Sequence, residues 1–280
     1  MEFLNAFTVD VEDYFQVSAF ERHVRREDWG RWECRVVANT RRVLELLDRR
    51  RVRATFFVLG WVAEHYPELL REVLGAGHEI GSHGYWHRLV YDQRPEEFRA
   101  DLRRSRKAIE DAIGGPVRAH RAASFSVTRR SLWAFEVLAE EGFAIDSSVF
   151  PIRHDRYGMA DAPLGIHPVA TPHGTVREFP MSVATFGRLR FPAGGGGYFR
   201  LYPLRLSLGL LRRINLRHRR PFVFYVHPWE VDPEQPRIAG ASRLSRFRHY
   251  VNLATTERKL DVLLQRFRFG RLSDAVEQAT

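Results

Sequence analysis

Short apolar runs alternate with amphipathic stretches of helical period along most of this chain, and that rhythm sets the expected fold. Residues 5–11 read as a buried strand with a polar tip at Asp10 to Asp13. Val43, Leu46 and Leu47 then form the inner stripe of a helix capped by Asn39, and residues 54–59 follow as a strand apolar on both faces. A second helix is expected over 61–74, stopped by Gly75 and Gly77, before a strand over 78–82. Pro95 opens a third helix with Phe98, Leu102 and Ile109 inward, closed by Gly114-Gly115-Pro116. A short strand over 117–120, a helix over 129–141 and a strand over 143–146 continue the alternation. Later come a helix over 203–217, a strand over 222–226, a helix over 255–267 and a turn near Ser273. Residues 14–38 and 228–253 read as irregular. The proline-rich stretch 149–202, with its run Gly194 to Gly197 and a possible strand over 176–183, is expected to shape a substrate groove.

Strand and helix in regular alternation imply parallel strands joined by right-handed crossovers, here in one α/β domain over 1–280. Asp10, Glu12, His83, Arg121, Asp146 and His227 all fall at strand ends, which suggests a barrel-like arrangement with one reactive rim.

At 280 residues and 44% hydrophobic, the chain can bury one large core. Only Lys107 and Lys259 are lysines, so 44 − 2 = 42 of the cations are Arg, and the net charge is +10. A nucleic-acid partner is not expected: the arginines are spread over every helix, and such a partner would explain none of the strand-end groups. Anionic glycans and phosphorylated carriers are compatible with the charge. Cys34 is the sole cysteine, which excludes an intrachain disulfide. The first strand begins without a leader-like segment and no apolar run reaches 18 residues, so a cytoplasmic protein without a membrane span is expected.

The chemistry centres on Gly77 to His87. His83 and His87 lie four apart behind a strand, in a glycine-bearing turn, where two imidazoles can converge on one divalent metal. The pair alone is a weak signal in a chain with 12 His. The carboxylates after the first strand supply the missing half: two His and one carboxylate, with positions open for water, make a hydrolytic metal site. Alternate residues of an extended segment share a face, which groups Asp10 with Glu12 and sets Asp13 apart.

Five motifs, in order along nearly the whole chain, carry a resemblance. They are Thr8-Val9-Asp10-Val11-Glu12-Asp13, His83-Gly84-Tyr85-Trp86-His87, Arg121-Ala122-Ala123-Ser124-Phe125, Asp146-Ser147-Ser148 and Val226-His227-Pro228-Trp229. Together they resemble the polysaccharide deacetylase family, the NodB homology domain of carbohydrate esterases. Within it the chain looks like the branch found beside bacterial exopolysaccharide loci, with a C-terminal extension, here 228–280. The resemblance implies a distorted (β/α) barrel of fewer than eight parallel strands and one divalent metal, Zn²⁺ above all, held by His83, His87 and a carboxylate. It implies Asp10 as general base, Arg121 as the base's ion-pair partner, His227 as general acid and Asp146 as the group orienting that acid. Many relatives place an Asp ligand directly after the base. Here Val11 stands there, so the ligand is Glu12 or Asp13, with Glu12 favoured by the facing argument. Gly84 replaces the Ser or Thr usual between the two His. Tyr85, Trp86, Phe125 and Trp229 are candidate sugar-stacking surfaces. The expected reaction is removal of N-acetyl groups from amino sugars of a bacterial exopolysaccharide or its precursor. The same machinery also serves O-acetyl esters, N-formyl sugars and cyclic amides. A catalytically dead glycan-binding module is the reading from another class, and retention of Asp10, both His, Arg121 and His227 argues against it.

Overall fold

The computed structural model describes residues 3–154 and 157–279. Its centre is a nine-stranded sheet made of β1 (Asn5–Val11), β2 (Thr55–Val58), β3 (Glu79–Ser82), β4 (Ala119–His120), β5 (Ile145–Asp146), β6 (His167–Thr171), β7 (Gly174–Glu178), β10 (Val223–Val226) and β11 (Phe269–Gly270). The order is β10-β1-β2-β3-β4-β5-β7-β6, with β11 on β1. Strands β10 through β7 run parallel side by side, and only β6 is antiparallel, folded back on β7 as a hairpin. A separate hairpin pairs β8 (Val183–Phe186) with β9 (Leu189–Pro192). The sheet is an α/β sheet of barrel type that does not close, with β10 and β6 at its two ends.

Period-two alternation decides which side chains face the helices and which face the concave side. Phe7, Val9 and Val11 of β1, with Phe56 and Val58 of β2, join the large outer core, packed under the helices. Ala6, Phe57, Ala119, Val223 and Tyr225 form a second cluster with Phe179, Met181 and Leu272. The side chains that share this second face are the ones that can reach a site at the strand ends.

Where sequence and structure differ, backbone chemistry explains most of it. The helix expected over 61–74 is two, Gly60–His65 and Pro67–Gly75, because Pro67 cannot donate to the first and opens the second. The helix expected from Asn39 starts at Val36 and runs to Arg49. Residues 129–141 give a tight turn and then a helix only over Ala134–Glu140. The stretch 228–253 is not irregular throughout: Ser242 caps a helix over Arg243–Tyr250, its Oγ accepting from Ser245 N at 3.1 Å. In the glycine run, Gly195 has φ +119° and a Cβ there would stand 2.0 Å from the carbonyl oxygen of Tyr225. Only glycine lets this segment lie against β10, where Tyr225 N donates to Gly194 O at 2.7 Å. A helix over Gly196–Leu201 follows. Among the described residues, no helix is long and apolar enough to cross a membrane.

Candidate active site

β1 is buried along its whole length, and just beyond its end Glu12 N donates to Asp10 O at 3.0 Å, a turn that holds both carboxylates at the same rim. β3 ends at Ser82, and His83 N donates to Val58 O at 2.9 Å. The turn that carries His83 to His87 is held from the helix Pro95–Ile113. Asp101 Oδ2 accepts from Tyr85 N at 2.7 Å, and Ser105 Oγ donates to Gly84 O at 3.0 Å. Gly84 sits at φ +74°, with Asp101 Oδ2 3.0 Å from where a Cβ would be, so a hydroxyl-bearing residue is strained here. His87 itself adopts φ +52°, an uncommon conformation for a residue with a side chain.

These elements bring Glu12, His83 and His87 together, all buried, with one potential ligand atom from each within 4.8 Å of the others. His83 Nδ1 lies 2.8 Å from the carbonyl of Arg121, which as acceptor fixes the proton on Nδ1 and leaves Nε2 free to ligate. Burial lowers the His83 pKa to about 4, so the ring is neutral near pH 7. Glu12 Oε2 takes no hydrogen bond although His87 Nε2 stands 2.9 Å away. Burial pushes the Glu12 carboxyl up, but the imidazoles of His87, His227 and His83 outweigh it and hold it well below the usual range. Trp229 Nε1 donates to Glu12 Oε1 at 3.2 Å.

Beside this cluster Arg121, fully buried, donates through Nη1 to Asp10 Oδ1 and to Thr8 Oγ1, both at 2.7 Å. Its Nε and Nη2 donate to Ser147 O at 3.0 Å and Ser147 Oγ at 2.9 Å, and Phe57 lies under the guanidinium. On the other side, His227 Nε2 stands 3.4 Å from Glu12 Oε1 and 4.0 Å from Asp10 Oδ2. Burial opposes protonation of His227, yet the charges of Glu12 and Glu230 prevail and raise its pKa to about 9.

Several side chains stand elsewhere than the sequence suggests. Asp13 turns away from the cluster: its Oδ2 accepts from Arg35 N at 2.7 Å and Val36 N at 2.9 Å, capping the helix Val36–Arg49. Asp146 does not orient His227. It pairs with His120 at 2.7 Å and accepts from Ser148 Oγ at 2.8 Å, beside Glu178, whose acid burial and the Asp146 charge raise well above the usual range. The carboxylate at His227 Nδ1 is Glu230, 3.3 Å away, itself paired with buried Arg200 at 2.7 Å. Tyr85, Phe125 and Trp229 are buried and offer no stacking face to a sugar. Tyr85 OH donates to Glu64, and Trp229 is sandwiched between His227 and His249 at 4.9 and 4.1 Å. Trp86 alone of the four is half-exposed.

The open space at the site is a cleft of about 370 Å³ lined by Ser18, Ser124, Tyr198, Leu201, Tyr225 and Phe247 among others. Ser18 Oγ bonds Ser124 Oγ at 2.9 Å and lies 3.4 Å from His87 Nδ1, so the cleft abuts the His pair. Glu230, Arg200, Asp101 and cleft residues such as Ser18 and Phe247 went unread in the sequence, whereas Tyr198 and Leu201 lie within the stretch 149–202. The available signal was Glu230 three residues after His227, the spacing of a capping box, which the structure contains.

Residues 28–139 match the family described as polysaccharide deacetylase, and residues 147–277 match a domain of unknown function, DUF3473. A chitooligosaccharide deacetylase of a Bradyrhizobium species is 32% identical over 35% of this chain and 42% of its own. A peptidoglycan-N-acetylglucosamine deacetylase of Bacillus cereus is 33% identical over 28% of this chain and 37% of its own. The chain thus spans less than half the length of these curated relatives. A solved Mycobacterium smegmatis structure assigned to the polysaccharide deacetylases is 20% identical with a TM-score of 0.65, covering 99% of this chain and 89% of that one. Puue allantoinase shares the fold at 13% identity, with a TM-score of 0.61 over 98% of this chain and 89% of its own. The match to the polysaccharide deacetylase family thus covers residues 28–139, and the fold of nearly the whole chain is that of the Mycobacterium smegmatis structure. Residues 147–277 include β6, β7, β10 and β11, which lie in the same sheet as β1 to β5.

Proposed function

We propose that this protein is a metal-dependent hydrolase that removes N-acetyl groups from amino sugars of a bacterial exopolysaccharide or its precursor. The observation that carries the reading is the convergence of buried Glu12, His83 and His87 between the Asp10–Arg121 pair and His227. One carboxylate and two imidazoles, with a carboxylate oxygen left without a hydrogen bond, suit a divalent ion, and Zn²⁺ accepts such a set. When bound, such an ion polarises an acyl carbonyl and lowers the pKa of a water toward about 7.

The chain's own groups supply the rest. Asp10, held in place by Arg121 and buried, takes the proton from the attacking water. His227, with the Glu230 carboxylate 3.3 Å from its Nδ1, donates a proton to the departing nitrogen. In the turn at 122–126 the N–H groups of Ala122, Phe125 and Ser126 donate to Ser148 Oγ, Ala122 O and Ala123 O, so support for the developing oxyanion falls to the N–H groups of Ala123 and Ser124. Half-exposed Trp86 and the cleft wall at Tyr198 orient the sugar. Acetate release from N-acetylglucosamine oligosaccharides tests the reading: release that stops with chelator and returns with Zn²⁺ supports it, and release indifferent to chelator refutes it.

A further inference from the structure

The helix Arg243–Tyr250 lies at the mouth of the active-site cleft and is basic without compensation. It contains no acidic residue, and Arg237, Arg243, Arg246 and Arg248 are all exposed. Among the described residues none of the four is ion-paired, and the Arg237 guanidinium lies over the Tyr250 ring, 4.8 Å from its centroid. Arg237, Arg243 and Arg246 line a second cleft of about 350 Å³ with Phe247, Tyr250 and Val251. Phe247 and Val251 also line the cleft beside the His pair, so the two spaces share a wall. Positions 243, 246, 247 and 250 fall at helical spacing on one side, which puts the two helix cations beside the shared Phe247.

This lip is fixed to the chemistry. Buried Arg200 donates to Arg248 O, His249 O and Val251 O at 2.7 to 2.9 Å, holding the C-terminal end of the helix, and with its Nε to Glu230, the partner of His227. The helix therefore has a set position relative to the groups that act on the acyl bond. Two clefts on either side of Phe247 and Val251, one beside the His pair and one edged by three guanidinium groups without ion pairs, suit a chain that is a neutral sugar at one end and anionic further along.

We propose that Arg237, Arg243 and Arg246 form an anion subsite of the substrate cleft, so that the preferred glycan bears a phosphate or carboxylate group beyond the acetylated sugar. The inference rests on the deacetylase reading for the identity of the sugar end, and on charge and the shared cleft wall for the anionic end.

The test compares three probes: N,N′-diacetylchitobiose, its 1-phosphate, and a hyaluronan tetrasaccharide, which carries uronate carboxylates. Binding is followed by calorimetry and turnover by acetate release, on the wild type, on Arg243→Gln/Arg246→Gln and on Arg212→Gln/Arg217→Gln, which loses the same charge elsewhere. The expected result is a preference for a charged probe over the neutral one, expressed in KM and weakened by salt. That preference falls about tenfold in Arg243→Gln/Arg246→Gln, as two exposed charge contacts warrant, and stays in the control pair. Whichever charged probe is preferred names the anion as phosphate or carboxylate. Acetate release from all probes without a charge preference overturns the subsite and leaves the deacetylase reading standing. No acetate from any probe overturns that reading, and calorimetry then still decides the subsite by the same charge comparison. Binding to phosphatidylglycerol vesicles that depends on Arg243 and Arg246, with no discrimination among the probes, overturns it in favour of a membrane surface.

Discussion

Arg121 and Asp10 should behave as one unit in stability as well as in chemistry. Arg121 is fully buried, makes four hydrogen bonds to Thr8, Asp10 and Ser147, and faces the Phe57 ring at 4.3 Å. Arg121→Leu fills most of that volume but strands the Asp10 carboxylate, 1% exposed, without its countercharge, at a cost of about 3–5 kcal/mol. Asp10→Asn keeps the shape and an acceptor at Oδ1 but removes the charge, costing about 1–3 kcal/mol. In the double variant neither charge remains buried alone, so the combined loss should fall short of the sum by about 2 kcal/mol. Urea unfolding measures this through the midpoint at unchanged slope, with chelator present so that metal binding does not enter the comparison. Additive losses, or an Arg121→Leu loss under about 1 kcal/mol, would refute the view that the pair is a buried, mutually dependent ion pair.

Asp13→Ala should cost about 1–2 kcal/mol in urea unfolding by uncapping the helix Val36–Arg49, while metal uptake stays intact; lost uptake would return Asp13 to the ligand set. Glu230→Gln should lower kcat at nearly constant KM, since Glu230 meets His227 rather than the cleft, and a pure KM effect would contradict its role as the orienting group. His78 is buried, accepts from Ala54 N at 3.0 Å, and has its pKa lowered by burial to about 4. Because the unfolded chain takes up this proton near pH 6.5 and the folded one does not, stability should drop as pH falls, by about 2 kcal/mol between pH 7.5 and 5. Urea midpoints across that range check it, and an unaltered slope in His78→Asn would remove His78 as the cause.

How much was legible in the sequence depends on how local each signal is. The parallel α/β core followed from strand and helix periods, because burial repeats every two or 3.6 residues. The grouping of Asp10 with Glu12 followed from the same alternation. Asp13 was ambiguous for a reason the structure makes concrete: its partners are backbone N–H groups at 35 and 36, more than twenty residues away, which no spacing rule reaches. The partner of His227 was misread because Asp146 and Glu230 both follow strands, and only the fold reveals that His120 claims the former. The aromatic residues beside the motifs were offered as sugar platforms, yet Tyr85 and Trp229 spend their polar atoms on Glu64 and Glu12 inside the protein. The stretch 228–253 reads as loop because Pro228, Pro233, Pro236 and Gly240 precede its helix, and the Arg-rich face there has no apolar periodicity to announce it.

Zinc titration of the metal-free protein by calorimetry tests the central claim most directly, with four variants run beside the wild type. One ion per chain, lost in Glu12→Gln and His83→Ala and kept in Asp10→Asn and Asp13→Ala, is the result predicted by the Glu12–His83–His87 cluster. Unchanged uptake in Glu12→Gln and His83→Ala would contradict it.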